Sequence, residues 1–340
     1  MVRPAYRRAI DHMDGPQETP LNLCILGAGA LGCAIGGALA EAGADVTLLN
    51  RSPAHVAAIN AHGLTLVTPD GERAVAVRAA TSCEGLGVAD VVVVLVKSFD
   101  TRAAIEGARS IVGPDTVVLS LQNGLGHEDI LAEAVGRERV LAGKTYVGGV
   151  MLGPGRILSG VTGKRTVIGE LDGTATPRVQ RIADVFNRAG LHTEVSDNIL
   201  GTVWDKLLIN VATGALSGIT GLVYGELYAI PALRDTALAA VAEAMAVARA
   251  SGVRLSMTEP VEAWDRASAG LPFAFKTSML QSLEKGSITE IDFINGAVVR
   301  AGARVGVPAP VNAALVACIT GIERRMAIDR QPAPPMQSKE

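Results

Sequence analysis

A glycine-rich turn between an apolar run and a helix of small residues is the feature that most constrains this chain. The run Leu23–Leu26 predicts a short buried strand, and a helix from about residue 31 to 42 follows the turn. This strand–turn–helix setting makes a G-x-G-x-x-G pattern specific for dinucleotides, because its glycines permit a tight turn and close approach of a pyrophosphate. A turn that binds nothing is the alternative. The predicted cofactor-binding residues here are Gly27, Ala28, Gly29, Ala30, Leu31 and Gly32.

The end of the second predicted strand distinguishes the two nicotinamide cofactors. The strand covers residues 44–49, and the neutral Asn50 and then Arg51 follow it. An acidic residue here would bind the ribose 2′-hydroxyl of NAD and repel a 2′-phosphate. A guanidinium can instead hold a phosphate through two hydrogen bonds. We therefore predict NADPH/NADP as the cofactor, with a solvated surface arginine as the alternative.

Two further buried strands, predicted at residues 89–96 and 117–121, end in polar residues. Lys97 follows the first strand and Asn123 follows the second. Ligands in open α/β sheets bind beyond the carboxyl ends of the strands. Both residues are therefore candidates for the cofactor cleft, although an Asn-Gly pair also forms ordinary turns.

The predicted strands stop near residue 196, and long segments rich in Ala and Leu follow them. Hydrophobic residues make up 49% of the chain but aromatic residues only 3%, which suits a parallel sheet with closely packed helices. We predict an α/β fold, with an N-terminal Rossmann-type parallel sheet and helices followed by an all-α C-terminal domain. The predicted divisions are a flexible extension (1–20), the NADP-binding domain (21–196), the helical substrate and catalytic domain (197–328) and a disordered tail (329–340).

Charge and composition argue against several classes of partner. The formal net charge is −3, which does not suggest a nucleic acid or an anionic membrane as partner. No uninterrupted apolar run approaches the roughly 20 residues that span a bilayer, and the N-terminus lacks the apolar core of a secretory signal. The four cysteines and five histidines are scattered, so we predict reduced thiols and no metal site. We expect a cytoplasmic protein that acts on a small molecule.

The predicted helix 199–218 carries the strongest candidate for the chemistry. Lys206 and Asn210 are four residues apart and share a face, which small residues continue toward Gly214. The other faces are apolar, so this face is typical of a cleft lining rather than of a lysine that extends to solvent. An ammonium group would stabilise the alkoxide formed when a ketone receives a hydride, and would supply its proton. Asn210 would hold the substrate or orient the lysine.

Two residues farther along the chain are weaker candidates. Ser278 could cap a helix and offer its hydroxyl group to a substrate carboxylate. Glu290 could reach back to the cofactor or to Lys206. Taken alone, each is more often a helix cap or a surface residue.

Together these landmarks resemble the ketopantoate reductase (2-dehydropantoate 2-reductase) family over residues 21–325. They are GAGALG, Arg51, Lys97, QNG at 122–124, WDKLLIN at 204–210, KTSMLQSLEKG at 276–286 and TEIDFING at 289–296. The resemblance implies NADPH-dependent reduction of 2-dehydropantoate to pantoate, on the route to pantothenate and coenzyme A. It also implies a Rossmann domain joined to a helical domain, with the active site between them.

The resemblance also implies roles for individual residues. Lys206 would be the general acid. Asn123 would lie near the nicotinamide ribose and the substrate, and Gly149 and Glu290 would lie on the cofactor side of the cleft. The residues implied to hold the substrate are Asn210 and Ser278, together with Asn123.

Two departures from the family pattern leave the substrate open. The family's helix has the pattern K-x-x-x-N-x-x-x-N, but Gly214 replaces its second Asn, and Tyr224 replaces an Asn before G-E-L. Losing two hydrogen-bonding side chains can change the preferred substrate. The alternatives are therefore a reductase of another 2-oxo acid, a β-hydroxyacid dehydrogenase, and an NADP-sensing protein without catalysis. The apolar helices also leave room for a homodimer through the helical domain.

Overall fold

The computed structural model describes residues 20–330, and the strands within it lie before residue 196. Within that range the strands are β1 Asn22–Leu26, β2 Asp45–Leu49, β3 Leu64–Thr68, β4 Gly71–Val75, β5 Arg78–Ala80, β6 Ala89–Val94, β7 Val112–Ser120, β8 Val140–Thr145, β9 Gly148–Gly153, β10 Arg156–Gly160, β11 Thr166–Glu170 and β12 Thr193–Val195. The interspersed helices are α1 Ala30–Glu41, α2 Pro53–His62, α3 Thr101–Gly107, α4 His127–Val135 and α5 Pro177–Arg188.

Eight strands form one twisted sheet in the order β12-β11-β8-β7-β6-β1-β2-β5. Neighbouring strands are parallel except for the antiparallel pair β8–β11. Apolar clusters cover both faces of this sheet, which explains its strands rich in Val and Leu. Because β1 is an inner strand between β6 and β2, the turn after it opens at the carboxyl edge beside the ends of those strands. The prediction of a Rossmann-type parallel sheet is confirmed.

A second, smaller sheet has the order β4-β3-β10-β9. From the sequence alone, the mostly apolar stretch 140–150 predicts a single strand, and the structure shows that this prediction is wrong. The structure interrupts that strand at Tyr146 and Val147, so β8 stays in the large sheet and β9 joins the small one. An added Cβ on Gly149 would lie 2.8 Å from the carbonyl oxygen of Ala30, so β9 lies against the start of α1.

The second half of the described chain is helical, which confirms the predicted all-α character. Its helices are α6 Ile199–Thr220, α7 Tyr224–Tyr228, α8 Pro231–Ala250, α9 Pro260–Ser268, α10 Ser278–Glu284, α11 Asn295–Val305 and α12 Pro310–Asp329. Helix α6 is central and contacts α8, α9, α10 and α12 as well as strand β8. By length and composition α6 could cross a membrane, but 67% of its most apolar window is buried inside the protein. Such burial is typical of a helix that forms part of a protein core.

The predicted domain boundaries remain predictions. The last strand ends at Val195, and α6 begins at Ile199. The predicted extension lies outside the described residues except for residue 20. The predicted tail overlaps the end of α12, and residues 331–340 lie outside the description.

Candidate active site

The glycine-rich turn lies at the carboxyl end of β1. Gly27 has a φ of +106°, and an added Cβ there would lie 2.4 Å from the backbone nitrogen of Val96. An added Cβ on Gly32 would lie 2.3 Å from the carbonyl oxygen of Gly27. Gly29, the N-cap of α1, has no heavy atom within 4 Å of its added Cβ. The first and third glycines are thus needed for packing, whereas the second faces open space suited to a phosphate.

A cleft of about 810 Å³ opens beside this turn, within the usual range for cofactor and substrate pockets. The predicted site residues that line it are Gly27, Gly29, Ala30, Leu31, Gly32, Arg51, Lys97, Asn123, Gly149, Ser278 and Glu290. Three predicted residues are not in this lining. Ala28 is fully buried beneath the turn, and Lys206 and Asn210 lie half-buried on α6.

The mouth of the cleft carries an ion pair that sequence analysis did not predict. A guanidinium nitrogen of Arg51 lies 2.8 Å from a carboxylate oxygen of Asp100, and the Arg51 side chain is 85% exposed. Asn50 donates a hydrogen bond of 2.6 Å to the carbonyl oxygen of Ala28. Arg51 is therefore free to turn toward a ligand, although an anion must compete with Asp100 for it. The pair joins residues 49 positions apart, so no local pattern could have revealed it.

Glu290 connects the helical half of the chain to the end of β6. Its carboxylate accepts hydrogen bonds from the backbone nitrogen (3.1 Å) and the hydroxyl group (2.5 Å) of Ser98. The ammonium group of Lys97 lies 3.6 Å from the same carboxylate. The sequence offered Lys206 as a partner of Glu290, but the Glu290 carboxylate contacts Ser98 and Lys97 instead. Glu290 lines the cleft and bonds to Ser98 across 192 residues of sequence.

Lys144 on β8 is a candidate site residue that sequence analysis missed. Its side chain is 1% exposed, and its ammonium group donates a hydrogen bond to Oδ1 of Asn123. The pKa of Lys144 is lowered to about 7, mainly by burial and also by the nearby Lys206 ammonium, while Glu290 and Glu128 oppose this shift. The available signal was a lysine within an otherwise apolar predicted strand.

Lys206 lies near this buried lysine. Its Nζ atom is 5.0 Å from the centre of the Tyr146 ring, a cation–π distance. Burial lowers the pKa of Lys206, which makes its ammonium a better proton donor. Within the described residues it makes no hydrogen bond or ion pair that would hold this proton. The group is therefore suited to general acid catalysis.

Comparison with known proteins identifies the family. The model described as "Ketopantoate reductase PanE/ApbA" matches residues 23–173, and its C-terminal counterpart matches residues 198–323. A 2-dehydropantoate 2-reductase from Pyrococcus horikoshii is 35% identical over 89% of this chain and 98% of its own length. The chain belongs to the ketopantoate reductase family. The family resemblance predicted from the sequence is confirmed, and with it the oxidoreductase class.

Solved structures agree with this assignment. A ketopantoate reductase family structure from Ralstonia eutropha matches with a TM-score of 0.82 and 37% identity, over 90% of this chain and all of that one. A ternary structure of D-mandelate dehydrogenase with NADH and anilino(oxo)acetate matches with a TM-score of 0.83 and 26% identity, over the same shares. The ketopantoate reductase fold thus has a structural neighbour that binds NADH.

The two departures from the ketopantoate reductase pattern lie on or beside α6. An added Cβ on Gly214 would contact only Met279 Cε, at 3.7 Å. Tyr224 is 7% exposed, and its hydroxyl oxygen lies 3.0 Å from Oγ1 of Thr213. Its ring also contacts the rings of Tyr228 and Phe275. Gly214 therefore leaves room beside the Lys206 face, while Tyr224 belongs to the core of the helical domain.

The start of α10 corrects the expectation that Ser278 caps the helix. Thr277 is the N-cap, because its hydroxyl oxygen accepts a hydrogen bond of 3.1 Å from the Leu280 nitrogen. Ser278 is the first helical residue and lines the cleft. Its hydroxyl group is therefore free for a ligand.

Proposed function

We propose that this protein is an NADPH-dependent reductase of branched 2-oxo acids, with 2-dehydropantoate as the first candidate substrate and pantoate as the product. The observation that carries the proposal is a single cleft built from both halves of the chain. Lys97 and Asn123 come from the sheet, and Ser278 and Glu290 come from the helical half. Relatives named 2-dehydropantoate 2-reductase support the choice of substrate. The product, pantoate, would serve pantothenate biosynthesis.

The cofactor side of the cleft fits a dinucleotide. The open face of Gly29 and the unpaired backbone nitrogens at the start of α1 suit a pyrophosphate. The proposed cofactor-binding residues are Gly27, Ala28, Gly29, Ala30, Leu31, Gly32, Arg51, Lys97, Asn123, Gly149 and Glu290. When bound, the nicotinamide supplies a hydride to C2 of the 2-oxo acid.

The substrate side completes the reaction. Lys206 donates a proton to the keto oxygen as C2 receives the hydride, so the product is a 2-hydroxy acid. The ammonium charge also stabilises the negative charge that develops on this oxygen. Asn210 lies one turn farther along the same face of α6, and with Ser278 and Asn123 it holds the substrate.

A panel of 2-oxo acids tests the proposal directly. Purified protein with NADPH is mixed with ketopantoate, 2-oxoisovalerate and phenylglyoxylate, and loss of NADPH absorbance is followed. We expect turnover with ketopantoate; phenylglyoxylate belongs in the panel because the D-mandelate dehydrogenase structure is a neighbour. Oxidation of 3-hydroxyisobutyrate with NADP⁺ but no reduction of any 2-oxo acid would favour a β-hydroxyacid dehydrogenase. NADPH binding without any turnover would favour a binding protein.

Replacing Arg51 by alanine should weaken NADPH binding about 10–100-fold, because a charge-assisted contact to phosphate contributes roughly 1.5–3 kcal/mol. The affinity for NADH should change less than about twofold on the same scale. Fluorescence titration measures both dissociation constants. Arg78→Ala is the matched control, since Arg78 pairs with Asp45 at the opposite end of β2. Equal losses of affinity for NADPH and NADH would show that Arg51 does not bind the 2′-phosphate.

Replacing Gly214 by asparagine should shift specificity toward ketopantoate. The added amide restores a family hydrogen-bonding group and has room, since only Met279 Cε lies near the new Cβ. We expect the ratio of kcat/KM for ketopantoate over phenylglyoxylate to rise about tenfold, the scale of one hydrogen bond. Gly214→Ala fills space without the amide and is the control. Adding Tyr224→Asn tests the second departure, but should also lower Tm because Tyr224 is buried. An unchanged ratio in both asparagine variants would contradict the idea.

Besides its cofactor and substrate, the protein is proposed to bind a second copy of itself. Exposed apolar side chains on the helical half support a homodimer there, among them Ile230, Val305 and Ile328. Sedimentation velocity would test it, and a monomer at micromolar concentration would contradict it.

A further inference from the structure

Lys144 is a buried cation held by a neutral group. It lies on β8, an inner strand of the large sheet, and its ammonium group donates to the side-chain carbonyl oxygen of Asn123. Within residues 20–330 no carboxylate makes a salt bridge to it. Burying an ammonium group is costly unless it is closely paired, so a purely structural role would be served better by an apolar residue.

The hydrogen bond determines which end of the Asn123 amide faces the cleft. A protonated lysine has three donors and no acceptor, so it can bind only the oxygen of an amide. With Oδ1 bound by Lys144, the –NH₂ group is the end left for the cleft that Asn123 lines. The backbone oxygen of Asn123 also accepts a hydrogen bond of 3.3 Å from the Ser98 hydroxyl. Asn123 is thus held at both its main chain and its side chain.

We propose that Lys144 is a positioning residue that makes Asn123 a hydrogen-bond donor toward the oxygens of an anionic 2-oxo acid substrate. The inference rests on the proposed function. It adds to that function a residue that neither the glycine turn nor the Lys206 helix contains. Lys144 itself does not touch the substrate, because it is almost fully buried and acts through Asn123.

The surroundings of Lys144 give the arrangement a pH dependence. The charged and titratable groups that face it are Lys206 from α6, His127 and Glu128 from α4, and Glu290 from the segment before α11. His127 is buried, and burial lowers its pKa to about 4, so it stays neutral near pH 7. As pH rises through about 7, Lys144 loses its charge. A neutral amine can also accept a hydrogen bond, so the direction of the Asn123 amide is then no longer fixed.

A double-mutant cycle tests the proposal: Lys144→Met, Asn123→Ala and the double variant, with Lys164→Met at an exposed turn as the control. Lys144→Met should lower kcat/KM for ketopantoate about 10–100-fold, mainly through KM, the scale of a buried hydrogen bond. In the Asn123→Ala background the same change should cost less than about threefold, because interacting residues are not additive. Lys144→Met should lack the step in kcat/KM near pH 7, and the fall in kcat/KM that remains at higher pH belongs to loss of the Lys206 proton.

If the losses in kcat/KM of the two single variants multiply in the double variant, the proposal is overturned. A kcat/KM of Lys144→Met equal to that of Lys164→Met would also overturn it. A Tm of Lys144→Met well below wild type at pH 6, with the same loss in the Asn123→Ala background, would indicate a structural role instead, because that loss would not depend on the bond to Asn123. If the wild type reduces no 2-oxo acid, the proposed function fails first. Calorimetric binding of oxamate with NADP⁺ then tests Lys144 alone, and equal affinity in wild type and Lys144→Met would contradict it.

Discussion

Replacing Lys206 by alanine is expected to lower kcat about 10²–10⁴-fold, the usual scale for loss of a general acid. The Lys206 ammonium is half-buried, has a lowered pKa and is not hydrogen-bonded within the described residues. Its proton is therefore available to a developing alkoxide. The NADPH dissociation constant should change less than about threefold, because Lys206 does not line the cofactor cleft. Steady-state kinetics and fluorescence titration measure the two effects.

Lys206→Met refines this experiment, since it keeps most of the apolar stem that lies beside Tyr146. A similar loss in both variants would locate the effect in the ammonium group rather than in packing. Turnover near the wild-type level would remove Lys206 from the mechanism. A rise in KM with unchanged kcat would assign it to substrate binding alone.

The contrast with Lys144 explains why only one of the two lysines is assigned the proton transfer. Lys144 is 1% exposed and donates to Asn123, so a substrate oxygen cannot reach it. Removing Lys206 should therefore affect kcat, while removing Lys144 should affect mainly KM. The two like charges also raise the local positive potential, which favours an anionic substrate.

Local patterns were sufficient to predict the parts of the fold that depend on neighbouring residues. The strand before Gly27 and the helix after it follow from chain-local sterics. The polar residues Lys97 and Asn123 were placed by a general rule about strand ends, and both line the cleft. The sequence itself offered Glu290 as a weak candidate, and the family resemblance implied its place on the cofactor side; its partner Ser98 is 192 positions away.

The buried lysine could not be predicted in this way. The sequence favours one strand over residues 140–150, and nothing local shows that α6 packs against β8. Burial of Lys144 depends on that contact and on the partner strands β7 and β11. The prediction that Ser278 caps α10 was wrong for a different reason. Thr277 and Ser278 are adjacent and both carry a hydroxyl group, so a shift of one residue in the helix start decides which hydroxyl is free.

Two alanine substitutions in the glycine turn should separate stability from cofactor binding. Gly27→Ala should destabilise the fold, whereas Gly29→Ala should weaken NADPH binding. At Gly27, a Cβ would lie 2.4 Å from the Val96 nitrogen, in a backbone conformation with φ of +106°. We expect Gly27→Ala to lower the free energy of unfolding by about 2–5 kcal/mol, from backbone strain and overpacking. Thermal and denaturant unfolding measure this loss.

At Gly29 the same substitution should leave Tm within about 2 °C of wild type, the shift expected for a change of about 1 kcal/mol. Its φ is −75°, and no heavy atom lies within 4 Å of the added Cβ. The new methyl group would instead occupy the face where a pyrophosphate approaches, so the NADPH dissociation constant should rise at least about tenfold. Unaltered NADPH affinity in a well-folded Gly29→Ala protein would mean that the phosphates bind elsewhere. Because the pair differs only in position, stability and cofactor binding are separated within one turn.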